Sequence, residues 1–554
     1  MRKYRHLSHA LGGASVSCLL ALVSAIGANA ASPELKTIEP AGARRGTSSE
    51  VTVTGTFDKW PVRAWVSGTG VRWEPMKQKG KFTATVEADA VPGPRWVRLI
   101  GDDGASKPAA WIVSTTKEVA EKETNDDLSG AQEVGPEPTT VNGALAKAGD
   151  LDTFRLSLKA GQTLIASLDA NTALGSPIDA VLQLVDGAGF VVVQSHDDRG
   201  LDPTIVHTIK QSGTYYVRLF AFPSDPNSSI QYYGATSAFY RLTSTTEGYV
   251  DHVFPLAVPR GGSGKTVPQG WNFSAANWAT LPIDAVDEPT ALDVPSPLAG
   301  SAFCVAVDLP PVTEQEPNDR AKPQVIETPC VVNGRIAAEQ DRDVYTVKWR
   351  KGDSWRVRAQ SKFWGFGVDP LLIIEDANGK ELMRSDDAVR GNPDADVTFK
   401  VPADGTYRVV VEDLFGATSF RHVYLLDIRA TDADFALTTA ASEFAGGAKG
   451  AVEIPVTIER SAGMSGDVSV RLEGLPKEFA KIEAVSSAKG ATAKAVTLKV
   501  PATVEYSGPV RIVGYATNPA AARRTAVSPV AAVPNARTSE LWLTLKAPAA
   551  KAKP

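Results

Sequence analysis

Cysteine is nearly absent from this chain of 554 residues, with three in all, at positions 18, 304 and 330. Histidine is scarce too. Beyond residue 30 there are four, His196, His207, His252 and His422, and none forms a zinc-type pair such as H-E-x-x-H. The chain also has no G-x-S-x-G nucleophile elbow, and neither Cys304 nor Cys330 stands in a papain-like context. Past the first thirty residues, no segment offers the eighteen or so uninterrupted apolar residues of a spanning helix. Charge of one sign is missing as well: 58 Lys and Arg oppose 63 Asp and Glu, a formal charge of −5, which excludes the basic face of a nucleic-acid binder.

What is present begins with an export signal. A basic "MRKYRH" precedes the apolar "ASVSCLLALVSAIG", and "ANA" before Ala31 carries small residues where a signal peptidase reads, so cleavage is expected after Ala30. Removing residues 1–30 leaves 55 basic against 63 acidic residues and a soluble exported chain with no transmembrane segment. Cys304 and Cys330 are then the only cysteines. An oxidising compartment lets them pair across a loop of about 26 residues, a bridge stabilising by roughly 3 kcal/mol in the chain-entropy model; the alternative is two buried free thiols.

A chain this long exceeds one hydrophobic core, and part of it is written twice. "EKETNDD" (121–127) parallels "EQEPNDR" (314–320), and "VNGALAKAGDLDTFRLSLKAGQTL" (141–164) parallels "VNGRIAAEQDRDVYTVKWRKGDSW" (332–355). "GSPIDAVLQLVD" parallels "GFGVDPLLIIED", and "SGTYYVRL" parallels "DGTYRVVV". Equivalent positions stay about 190 residues apart, which marks a duplicated domain of about 120 residues. Its pattern is β: Phe154, Leu156 and Leu158 alternate with Thr153, Arg155 and Ser157, as Tyr345, Val347 and Trp349 do with Thr346, Lys348 and Arg350. "AGQ", "KGD", "DGAG" and "ANGK" supply turns, and helical periodicity is lacking. The expected fold class is all-β, with tandem antiparallel β-sandwiches.

These motifs, in this order, resemble the bacterial pre-peptidase C-terminal domain, also met as the β-sandwich of secreted clostridial collagenases. "PAGARRGTSSEVTVTG" is similar to the IPT/TIG-type Ig module, and the stretch from "GLPKEF" to "VRIVGYAT" to an Ig-like module. The implied layout is a signal peptide at 1–30, an Ig-like domain at 33–115 and a first sandwich at 119–246. A short second Ig-like segment at 247–310, a second sandwich at 312–430, a C-terminal Ig-like sandwich at 432–546 and a disordered tail at 547–554 complete it.

The acidic phrase carries the chemistry. In extended backbone Glu121, Glu123 and Asn125 share a side, as do Glu314, Glu316 and Asn318, with Asp126 and Asp319 next to them. Such oxygens repel one another unless a cation collects them, and calcium, which takes six to eight oxygens in loose geometry, is the expected structural cofactor. Asp150 with Asp152, and Asp341 with Asp343, supply the far side from a turn before a strand. The resemblance implies the same, since in the collagenase relatives the acidic linker and an Asp-containing turn bind calcium together. Thr124 replaces Pro317 in the first copy, and the pairs Asp197–Asp198 and Asp386–Asp387 are read as turn residues. "GGSGKT" (261–266) lacks the glycine a phosphate loop needs, having Pro259 there, and is read as a loop.

Every long segment is assigned to a sandwich, which leaves binding as the expected function class. "KFWGFG" offers Phe363, Trp364 and Phe366 as a ligand surface for sugar or peptide, while His422 and Tyr424 are read as packing. The expected protein is a non-catalytic binding or structural protein, secreted or at the periplasm or cell surface. Its partner would be an extracellular polymer, polysaccharide or matrix-type protein, or an envelope protein, and no nucleic acid. The alternatives are an accessory or targeting protein for a secreted peptidase or glycoside hydrolase, and a hydrolase without a recognisable motif.

Overall fold

Alternation of apolar and polar residues becomes strand along most of the chain. The computed structural model describes residues 32–546 apart from 227–230, 261–262, 275–280, 283–289, 389–392, 432, 447–450, 462, 478, 480, 517–522, 532 and 535. The expected signal at 1–30, the tail at 547–554 and part of the "GGSGKT" loop lie outside the described residues. Among those described, helix is confined to the turn Asn171–Leu174 and the 3-10 turn Lys362–Trp364, and no helix is long and apolar enough to cross a membrane.

The two repeats fold alike. In the first, one sheet runs in the order Lys117–Ala120, Thr139–Ala144, Phe239–Thr245, Thr163–Asp169, Thr204–Thr208, and the facing sheet Gln132–Glu133, Asp152–Leu158, Gly213–Pro223, Ile178–Asp186, Val191–Ser195. The second repeats both orders, from Pro311–Thr313 and from Gln324–Val325 respectively. Phe154, Leu156 and Leu158 point into the first core, and Tyr345, Val347 and Trp349 into the second. Full burial of each such side chain is worth roughly 2 kcal/mol.

Pairing is antiparallel except at one edge of each sheet. There Lys117–Ala120 and Gln132–Glu133 pair in parallel with their neighbours, as do Pro311–Thr313 and Gln324–Val325. The acidic phrase lies between these two edge strands, so it crosses from one sheet of the sandwich to the other.

Three further β modules surround the repeats. The N-terminal one packs a four-stranded sheet from Glu34–Glu39 against a sheet holding Gly93–Gly101 and Ala109–Ser114. A middle module, Tyr249–Phe254 through Phe303–Val307, forms two three-stranded sheets, and a C-terminal one runs from Asp434–Thr438 to Leu541–Leu545.

The chain returns on itself. Arg98, 1% exposed, donates to the Ser442 and Glu540 carbonyls and pairs with Glu443, and Trp65 meets Trp542 edge-on at 5.8 Å. The N-terminal module also holds the middle module through the Arg95–Asp293 ion pair at 2.8 Å.

Cys304 and Cys330 are both free and buried, the arrangement of the second of the two readings. Cys330 faces the core of the second sandwich. Its neighbour Val331 leaves the opposite face of the same strand and enters the middle module's core, where Cys304 lies. The backbone of Cys330–Arg335 therefore stands between the two thiols.

Candidate metal centres and an aromatic turn

The acidic phrase and the Asp-x-Asp turn meet in both repeats. In the first, carboxylate oxygens of Glu121, Glu123 and Asp152 lie within 4.8 Å of one another, as do those of Glu123, Asp126 and Asp150. In the second, Glu316, Asp341 and Asp343 do the same. Backbone bonds set the approach: the Asn125 carbonyl accepts the Thr153 amide at 2.9 Å, and the Asn318 carbonyl accepts the Val344 amide at 2.7 Å. Each acidic loop is thereby tied to the strand carrying the inner aspartate.

The inner groups are buried and incompletely satisfied. Asn125, Asp150, Asp152, Asn318 and Asp343 are all almost wholly buried. Asn125 Oδ1, Asp152 Oδ1, Asn318 Oδ1 and Asp343 Oδ1 have no hydrogen-bond partner. The remaining Asp152 and Asp343 oxygens accept phenol hydrogens from Tyr240 at 2.7 Å and Tyr424 at 2.5 Å, and Tyr345 reaches the Tyr424 hydroxyl at 2.8 Å.

Asp150 and Asp341 accept the amides of Ala146 at 2.5 Å and Ala337 at 2.7 Å. Glu121 and Glu314 accept those of Ala144 at 3.0 Å and Arg335 at 2.7 Å. Lys147, present only in the first copy, lies 3.4 Å from both Asp126 and Asp150.

Burial and crowding push these acids toward the neutral form. Burial, with the Asp341 and Glu316 charges, raises Asp343 to about 8; burial and Asp343 raise Glu314 to about 9. Asp152 is held well above the ordinary carboxylate range by burial and by Glu121, and Glu123 is raised by burial, Asp150 and Glu121.

One expected ligand changes place. From Asn125 to the strand Gln132–Glu133 the first copy has one residue more than the second has from Asn318 to Gln324–Val325. Asp127 Oδ1 accepts the amides of Ser129 and Gly130, and Asp319 Oδ1 those of Ala321 and Lys322, so Asp319 is the counterpart of Asp127. It caps a turn and stands outside the Glu316 trio, while Asp126 is an added carboxylate of the first copy.

Tyr240 went unremarked in the sequence, and Tyr424 was read as packing alone. Both occupy the last strand, in "FYRL" and "VYLL", and that repetition was the available signal. The "VNG" repeated before each turn has a reason here: a Cβ on Gly143 would lie 2.5 Å from the Tyr240 hydroxyl oxygen, and one on Gly334 2.1 Å from Tyr424 Cζ. Only glycine lets the tyrosine reach the aspartate.

"KFWGFG" is a 3-10 turn, not a strand, and its rings separate. Phe363 is 40% exposed, Trp364 is half-buried and Phe366 is 4% exposed. Phe366 packs against the middle module, with the His252 ring 5.5 Å away, and the Arg421 guanidinium lies over its face at 5.2 Å.

A family model described as the bacterial pre-peptidase C-terminal domain matches residues 150–221. A probable subtilase-type serine protease of Deinococcus radiodurans is 37% identical over 107 residues, 18% of this chain; the match spans 14% of that protein's length. Among solved structures, the pre-peptidase C-terminal domain of a Bacillus anthracis collagenase is 14% identical over 19% of this chain and 93% of its own, with a TM-score of 0.16. The M60 catalytic domain of Clostridium perfringens with its two CBM51 domains is 9% identical over 73% of this chain and 47% of its own, with a TM-score of 0.14. The matched residues lie wholly within the first sandwich, which therefore contains a bacterial pre-peptidase C-terminal domain.

Proposed function

We propose that this chain is an exported, non-catalytic binding protein of the cell envelope or the extracellular space, whose two sandwiches are each stiffened by calcium at the acidic entrance. The observation that carries the metal is the set of buried, unpartnered oxygens on Asn125, Asp152, Asn318 and Asp343, in the same loops and turns whose carboxylates converge. Uncompensated, such groups cost about 1–3 kcal/mol each.

The donors are all oxygen, which suits a hard cation and not zinc, and their irregular arrangement suits calcium better than the octahedral demand of magnesium. Glu121, Glu123, Asn125, Asp126, Asp150 and Asp152 would hold one ion; Glu314, Glu316, Asn318, Asp341 and Asp343 would hold the other. When bound, the ion supplies charge neutralisation and ties the loop between the sheets to the strand carrying the inner aspartate.

Export is supported by the signal-like first thirty residues and by the likeness of 107 residues of this chain to part of a probable subtilase-type protease. The partner is an extracellular polymer or an envelope protein. A second reading, an accessory to a separately encoded peptidase or glycoside hydrolase, rests on that same relative.

Among the described residues, a Ser-His-Asp grouping bears on catalysis. Ser419 Oγ lies 2.6 Å from His422 Nδ1, and His422 Nε2 lies 3.7 Å from Asp413. The Asp413 carboxylate already accepts the amides of Asp369, Phe415 and Ala417, and His422 is buried, so the group reads as a turn closure.

Thermal unfolding of the full chain with calcium or with EDTA tests the metal: calcium should raise the melting temperature and EDTA lower it, and no change in either direction removes it. Turnover of peptide or glycan substrates that Ser419→Ala abolishes would overturn the non-catalytic reading.

A further inference from the structure

All five modules border one open cleft of about 960 Å³, and Trp96, Thr172, Phe303, Phe363 and Val533 each reach it from a different one. Its size lies within the range of roughly 300–1,000 Å³ typical of ligand sites, which favour domain interfaces. We infer that this cleft is the binding site of the protein and that its ligand is a neutral oligosaccharide; the inference rests on, and narrows, the binding role proposed above.

The duplication itself builds two walls. Each sandwich places a short turn at the same point, Asn171–Leu174 in the first and Lys362–Trp364 in the second, and both line the cleft. Each turn is held by one buried aspartate. Asp202 accepts the amides of Ala170, Thr172 and Ala173 at 3.1 to 3.2 Å, and Asp394 those of Ser361, Lys362 and Phe363 at 2.9 to 3.0 Å. The scaffold is the same, but the contents differ. The first turn presents Thr172 and Ala173, small and partly polar, and the second presents Phe363 and Trp364, whose rings meet edge-on at 4.8 Å beside Phe303.

The polar groups decide the ligand class. Of the cationic side chains, Arg199 and Arg421 are already paired, with Asp169 at 2.9 Å and with Asp251 at 2.5 Å, which leaves Lys362; an anionic ligand finds most of its counter-charge taken and meets the exposed Asp197 and Asp198 as well. A wholly apolar ligand would cover the exposed Asp197 and Asp198 carboxylates and the half-buried Lys362 ammonium without meeting them. A sugar supplies what remains. Its C–H face packs on an aromatic ring, and its hydroxyls donate to carboxylates and accept from an ammonium.

The test is calorimetric titration of the full chain with cellohexaose, maltohexaose and chitohexaose, alongside a heparin hexasaccharide and a collagen-like peptide. At least one neutral hexasaccharide should bind. Phe363→Ala should weaken it roughly tenfold with the melting temperature unchanged, and Thr172→Trp, which fills the cleft from the first sandwich's turn, should weaken it too.

The inference is overturned if no neutral hexasaccharide binds, or if one binds equally well to both variants. Binding of only heparin or the collagen-like peptide overturns it too, while leaving the general binding role standing; binding of nothing removes both. The melting response to calcium is read separately, so failure of the metal sites cannot be mistaken for failure of the cleft.

Discussion

Tyr424 donates its phenol hydrogen to Asp343 across 2.5 Å, from the sheet opposite the one that carries the aspartate. Tyr240 does the same for Asp152 in the first repeat. The tyrosine thus both stitches the two sheets together at their acidic end and fixes which oxygen of the carboxylate faces the proposed cation.

Removing that donor should be felt twice. Tyr424→Phe leaves a second Asp343 oxygen buried without a partner, with an expected cost of about 1–3 kcal/mol, and weakens calcium at the second site. Gly334→Ala should give the same phenotype by displacing the ring. Calorimetric titration of calcium into each variant checks this; unchanged affinity in both would separate the tyrosine from the metal.

The calcium effect should grow with pH. Asp343 and Glu314 are raised in the metal-free fold, to about 8 and about 9, above the ordinary value of roughly 4. The folded metal-free chain therefore binds protons that the unfolded chain has released. That contribution is complete below about pH 4 and is lost as pH rises through 8 to 9. Calcium replaces those protons, so its increment in melting temperature should be small at pH 5 and large at pH 8.5. Scanning fluorimetry at both values, with calcium and with EDTA, reads the difference directly.

Arg98 is the buried clasp between the first and last modules. Arg98→Ala leaves Glu443 and the carbonyls of Ser442 and Glu540 without their cation, and loss of one partner of a buried pair costs about 3–5 kcal/mol. The expected outcome is an early unfolding step assigned to separation of these modules, seen as a new low-temperature transition by calorimetry and as an expanded particle in small-angle scattering.

The thiols should be silent in the native protein. Burial pushes Cys304 up to about 11 and Cys330 up to about 12, and neither is bonded. Ellman's reagent should detect neither thiol before unfolding and both in guanidinium, and electrophoretic mobility should not depend on reductant. A protein that yields no thiol after denaturation would show that the two cysteines had been oxidised.

The strand faces were legible because a period of two leaves its mark in a few residues, as Phe154, Leu156 and Leu158 show against Arg155 and Ser157. The meeting of the acidic phrase with the Asp-x-Asp turn was legible because both halves occur twice at matched spacing. Asp319 misled for a local reason: one inserted residue, Asp126, shifts the register without altering the look of the phrase.

Asp202 and Asp394 were missed because a single aspartate that caps a turn thirty residues away has no pattern around it. The burial of Phe366 was not legible because the surface packed on it belongs to another module. Contacts of that range, like Arg98 with Glu540, leave no periodicity to find.

Ser32 donates to the Asp103 carbonyl at 3.1 Å, and Lys546 pairs with the carboxylate of the same residue. The two extremes of the described chain are therefore anchored within one residue of each other. A pull applied at those extremes would load this clasp, with Arg98 and Trp542 behind it, before any tension reached the connections between modules. The force at which the described chain first yields to such a pull should be that of the clasp.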